Sequence, residues 1–229
     1  MDNERSQDWM DDSRFHDWKD NQATPEEEEL VERVLDFSEL FEDMLFLQGT
    51  TSYNLIRCQS KLPTGDIWID DAIDLPPELE YFSYTFFLYK VESLGKYGGA
   101  FNSKERTLTI PSEHLNDDRT ILHEMIHLHE FVIDKLPQFY RDMLFWALYQ
   151  DLRIKIPKLD EIITDHSHLL NGSCLYYHGG VHDLLFLLKS FDLDIQMDYP
   201  LGTVFAYGRE EIFKNYKYIK NDQNMQPED

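Results

Sequence analysis

His123-Glu124-Met125-Ile126-His127 is the stretch that decides how the rest of the chain is read. Two histidines four residues apart fall one turn apart on the same helix face, so both imidazoles can reach a single metal ion. The glutamate between them is placed to act on a water that the ion activates rather than on the ion itself. Working outward, residues 119–134 read as an amphipathic helix. Leu122, Met125, Ile126 and Val132 make one apolar stripe, and His123, His127, Glu130 and Asp134 a neighbouring one. Asn116, Asp117 and Asp118 offer caps before it. Residues 106–110 alternate like a strand that Pro111 ends. The order is strand, short loop, histidine helix.

The chain has 229 residues and a formal net charge of −23, with enough apolar and aromatic residues for one core. Such an acidic balance argues against nonspecific binding to a nucleic-acid backbone, which it repels. There is no basic-then-apolar leader at the N-terminus and no apolar run of about 18 residues, so a cytoplasmic protein without a membrane span is expected. Cys58 and Cys174 stand far apart with no C-x-x-C and read as reduced thiols. Residues 1–24 are polar and acidic and read as a mobile tail, although Trp9, Phe15 and Trp18 offer a docking segment. A single domain is expected over 25–218, and a polar tail over 219–229.

Within that domain, Pro25 and the acidic run 26–29 open a helix to about Phe46, with Leu30, Val31, Val34, Leu35, Phe41, Met44 and Leu45 on its apolar side. Residues 51–112 look mainly extended, with β-prone aromatic runs at 65–70 and 81–89 and a turn at 94–99. Helical patterns follow over 136–154 and 159–170. Residues 181–190 are apolar nearly all round and read as a buried helix. Residues 192–208 read as loop and strand, and 209–216 as a short helix. The fold class is α+β: a small mixed or antiparallel sheet packed on the histidine helix, with further helices in the C-terminal half.

A catalytic zinc site has three protein ligands and an open position. The helix supplies two. His182 is the first candidate for the third, because Gly179 and Gly180 permit close backbone approach and the apolar helix after it can pin the ring. His178 is the next candidate, as a ligand or as a donor to the reacting carbonyl. Glu161 is a distinct alternative, with Asp165 four residues on to orient a histidine. Glu130 is expected to support the site from outside it or to lie on the surface, and Asp134 lies too far along the helix. Asp183 is expected to support a ligand or to charge a helix start. Tyr177, His178 and Tyr207 are the candidate donors to an oxyanion.

The chain resembles the zincin metallopeptidases, and among them the SprT-like group, over roughly residues 94–190. A glycine-tyrosine turn and strand, from Gly95-Lys96-Tyr97 through Ile110, precede the helix. The helix carries Ile121-Leu122-His123-Glu124-Met125-Ile126-His127, and a later histidine, His182, opens a helix with Phe186 four residues on. The resemblance implies a zincin-like fold and Zn²⁺ held by His123, His127 and His182. It further implies a peptide or protein substrate, with Glu124 as general base. Two features depart from that group: the spacing from His127 to His182 is much longer, and neither a basic surface nor a Cys-rich ribbon is present. A DNA-repair role is therefore not carried over. No H-x-x-G-x-x-H extension follows, which speaks against metzincins. The 106–110 strand is expected to offer the edge on which an extended substrate adds. The competing expectation is a noncatalytic protein-interaction domain with a structural or vestigial metal site.

Overall fold

The computed structural model describes residues 10–45, 61–62, 65–66, 82–135, 138–169, 182–206 and 210–219. Trp9, Cys58, Cys174, Tyr177, His178 and Tyr207 lie outside them, as does most of the extended 65–70 run.

The first helix already departs from the expected 1–24 tail. α1 (Ser13–Asn21) places Phe15 and Trp18, three residues apart, on one face, and both are buried. Their rings pack around Tyr89, at 6.2 and 6.5 Å between centroids, while Arg14 Nη1 donates to Glu105 O at 2.7 Å. Two large aromatics at helical spacing dock this polar segment on the core, where both are buried against Tyr89. α2 (Pro25–Asp36) starts with a capping box: Thr24 Oγ1 accepts from Glu27 N, and Glu27 Oε2 accepts from Thr24 N. It ends ten residues sooner than Phe46, with Leu30, Val31 and Val34 buried but Leu35 half exposed. A 3₁₀ turn (Ser38–Phe41) and the single turn α3 (Glu42–Leu45) carry Phe41 and Met44 into the core.

A short antiparallel ladder joins β1 (Lys61–Leu62) and β2 (Gly65–Asp66). The main sheet is mixed, in the order β3-β5-β4. β3 (Leu88–Val91) runs parallel to β5 (Thr107–Ile110), with Leu88 opposite Thr107 and Val91 opposite Ile110. β4 (Ala100–Asn102) pairs antiparallel with β5, with Ala100 opposite Thr109. The strand expected to be an edge is thus the central one, and all four of its residues are buried. The Thr/Leu/Thr/Ile alternation misleads here. Thr107 turns its hydroxyl onto Glu105 O at 3.1 Å, which lets a polar residue sit on a covered face. Among the described residues the two edges are β3 and β4.

α4 (Asp118–Ile133) is the histidine helix, capped by Asp117, whose carboxylate accepts from Arg119 N. It lies under β4 and β5 and against α7 and α8. Twelve of its sixteen residues are buried, polar ones included, so the helix expected to be amphipathic is buried over most of its surface. α5 (Gln138–Lys155) and α6 (Leu159–Asp165) follow near their expected places, with Pro157 between them.

α7 (Leu184–Gln196) is the buried apolar helix, but it continues through 192–196, where loop and strand were expected, and α8 (Thr203–Ala206) is helical too. Lys189, Asp192 and Asp194 interrupt the apolar pattern, yet all three are buried and partnered. Lys189 Nζ donates to Leu40 O at 2.6 Å and to Asp192 Oδ2 at 2.7 Å. Asp194 accepts from the backbone of the turn ahead of α8. That turn has a single allowed residue at one point: Gly202 has φ +88°, and a Cβ there would stand 2.1 Å from Phe213 Cδ2. No helix among the described residues is long and apolar enough to cross a membrane.

Candidate metal centre

His123 and His127 project from consecutive turns of α4, and His182 sits two residues before α7. One ligand nitrogen from each lies within 4.8 Å of the others, and this is the one such group of His, Cys, Asp and Glu among the described residues. His123 Nε2 and His182 Nε2 stand 3.0 Å apart. Two imidazole nitrogens on one tetrahedral zinc, at about 2.0–2.1 Å each, would be roughly 3.3 Å apart. The His123–His182 separation therefore suits a shared ion as it stands, and the 4.8 Å bound keeps His127 near enough to join it.

The far side of two rings is already engaged. His123 Nδ1 lies 2.8 Å from Val204 O; a carbonyl only accepts, so Nδ1 carries the hydrogen and Nε2 offers its lone pair inward. Glu130 Oε2 lies 3.4 Å from His127 Nδ1 and orients that ring the same way. Beneath all three, Phe186 packs at 4.7, 4.6 and 4.6 Å between centroids from His123, His127 and His182. Burial, followed by the neighbouring imidazoles, holds His123 well below the ordinary histidine pKa. Burial and His182 bring His127 down to about 3. Burial also lowers His182, against the pull of Asp183. Neutral imidazoles are the form that binds metal. The donor set therefore fits zinc in type, number and protonation.

Glu124 occupies the next position on α4 and is 3 % exposed. It lies directly on the backbone at Gly99, where a Cβ would stand 2.7 Å from Glu124 Cγ and 2.9 Å from Oε1. Gly99 therefore serves the site by having no side chain, whereas the sequence marks it only as part of a turn. The three histidines and Glu124 open onto a cleft of about 860 Å³, whose other walls include Tyr97, Ala100, Phe101 and Phe131. The β4 edge thus borders the site.

A second ring of charge supports it. Arg141 on α5 is buried; its Nη1 donates to Asp134 Oδ1 at 2.8 Å and its Nη2 to Asp183. Asp183 also caps α7 by accepting from Phe186 N at 3.0 Å, the helix-start role expected of it. Glu130 Oε1 stands 3.7 Å from Arg141 Nη2, beyond hydrogen-bond reach, and has no hydrogen-bond partner among the described residues. Burial first, then the charge of Asp183, pushes the Glu130 carboxyl well above its usual range, against the pull of Arg141. Arg141 was not foreseen: one basic residue on a helix carries no signal of a partner on two other elements. Glu161, the alternative ligand, does not join the cluster. It is half exposed on α6 and pairs with Lys158 at 3.1 Å, because its helix turns that face to water.

In comparisons with known proteins, the chain matches no family model, and no curated protein or solved structure matches it.

Proposed function

We propose that the chain is a zinc-dependent peptide hydrolase of the zincin kind, nearest in arrangement to the SprT-like group. The observation that carries this reading is the convergence of His123, His127 and His182 beside the buried Glu124, at the floor of a cleft that an edge strand borders. His123, His127 and His182 would hold the ion. Bound there, zinc would polarise the scissile carbonyl and lower the pKa of a water toward about 7.

The remaining steps fall to the chain's own groups. Glu124 takes a proton from the attacking water and returns it to the leaving amine, because it stands between His123 and His127 on α4 and lines the cleft with them. Gly99 leaves room for that carboxylate against the backbone. The outer side of β4 takes the place first expected of the 106–110 strand: an extended peptide adding there as a strand is carried past Glu124. His178 and Tyr207 remain candidates for the oxyanion donor, outside the described residues.

The test is cleavage of a mixed peptide library by zinc-loaded protein and by Glu124→Gln. Cleavage by the first and none by the second, with equal zinc content, supports the reading. Equal cleavage by both would falsify the role of Glu124, and failure of the wild type to take up zinc would remove the metal site.

A further inference from the structure

We propose that Asp194 is a positioning residue for His123, acting through the backbone of Val204. Asp194 lies in the last turns of α7 and is fully buried. Its Oδ2 accepts from Gly202 N at 2.6 Å and its Oδ1 from Val204 N at 2.9 Å. The carbonyl of that same Val204 is the group 2.8 Å from His123 Nδ1. A single buried carboxylate therefore clamps the residue whose oxygen sets which nitrogen of His123 carries hydrogen.

The chemistry of the clamp needs a carboxylate. Two N–H donors converge on it, and only a group with two acceptor oxygens satisfies both. Asparagine would set an NH₂ against one of them, leaving a buried donor unpaired and the turn free to relax. The turn has little other freedom, because Gly202 is held at positive φ against Phe213 and Thr203 Oγ1 donates to Pro200 O at 2.6 Å. Any relaxation is therefore directed to Val204 and on to the ring. Loss of the Val204 contact would let His123 place its hydrogen on Nε2, where it blocks the lone pair a metal needs.

This inference rests on the metal-site reading, but its first readout needs no metal. The experiment is long-range ¹H–¹⁵N correlation of the histidine ring nitrogens in the full chain at neutral pH without metal, followed by zinc titration against a competing chelator. The wild type is expected to show His123 as the Nδ1–H tautomer alone. Asp194→Asn is expected to show both tautomers and about 10–100-fold weaker zinc binding. Val204→Pro is the second variant, since proline is tolerated in a first helical turn and removes the one N–H without touching Asp194. It is expected to shift the tautomer in the same direction, and it decides the matter if Asp194→Asn does not fold. A folded Asp194→Asn, or in its absence a folded Val204→Pro, that keeps the single tautomer and binds zinc within twofold of the wild type overturns the proposal. A wild type that binds no zinc sinks the metal-site reading instead, and the tautomer comparison still decides the role of Asp194.

Discussion

His129 lies flat against Phe41, with ring centroids 4.4 Å apart and planes within 9°. It sits on the side of α4 away from the metal ligands and is fully buried. Its Nδ1 is 2.7 Å from Met125 O, so that nitrogen donates, and Nε2 accepts from Tyr84 Oη at 3.1 Å. A second proton on Nε2 would require the Tyr84 hydroxyl to turn from donor to acceptor and would place a charge in a fully buried ring. Burial, only partly opposed by the Met125 carbonyl, lowers the His129 pKa to about 3. The unfolded chain binds that proton near pH 6.5. The stabilising effect of the neutral ring is thus fully present above about pH 6.5 and is lost as pH falls toward 3. Each pH unit in that window costs about tenfold in the folding equilibrium per such histidine. Urea unfolding of the metal-free protein from pH 8 to 4 should show this fall. His129→Gln should be less stable at pH 8 and should lose stability less steeply with acid; an unchanged slope would exclude His129 as a source.

Removing His182 should separate the histidine ligand from the carboxylate alternative. His182→Ala is expected to weaken zinc binding by at least about 100-fold, a larger loss than that of a supporting group. Glu161→Ala, at a half-exposed carboxylate paired with Lys158, should bind zinc like the wild type. Chelator competition reads both, and the reverse pattern would reassign the third ligand.

Gly99→Ala tests how closely Glu124 depends on the neighbouring backbone. The added methyl stands 2.7 Å from Glu124 Cγ and must push the carboxylate aside. A displacement of about 1 Å at a reacting group costs on the order of 100-fold in rate. Peptide cleavage should fall by about that factor with zinc stoichiometry unchanged. Full activity in the variant would show that the carboxylate position is not critical.

Arg141→Met should be among the most destabilising single changes. It leaves Asp183 and Glu130 facing each other in a buried space with their one shared cation removed. Loss of one partner from such a group costs about 3–5 kcal/mol. Adding Glu130→Gln should recover part of that loss in urea titrations. If the double variant is as unstable as the single, like-charge repulsion is not the cause.

The N-terminal helix offers a test of packing. Trp18→Ala should cost about 3 kcal/mol by the usual scale for a buried aromatic. A mobile tail would give no measurable change in unfolding midpoint.

How much of this was legible in the sequence depends on the range of the interactions. α4 and its two histidines were readable because four-residue spacing is a local property, and His182 because glycines and an apolar helix flank it. Position in a sheet is not local: residues 106–110 look alike whether one neighbour or two lie beside them, and β3 joins them from across an intervening turn and strand. The far end of α7 was hidden by Asp192 and Asp194, two acidic residues that break the apolar run and whose partners are Lys189 and the 202–204 backbone. Phe15 and Trp18 were visible, but Tyr89, the surface that receives them, was not. Arg141 and His129 owe their roles to partners on other elements or on the hidden side of a helix, and no spacing rule reports those.

Phe186 gives the three imidazoles a dry floor, since it is fully buried and touches each ring. Among the described residues, an ion seated above it is reached through the cleft on the side of Glu124 and β4. Arrival, escape and capture by a chelator through that cleft would be obstructed by a bound peptide, so a metal held there should be hardest to strip while the cleft is occupied.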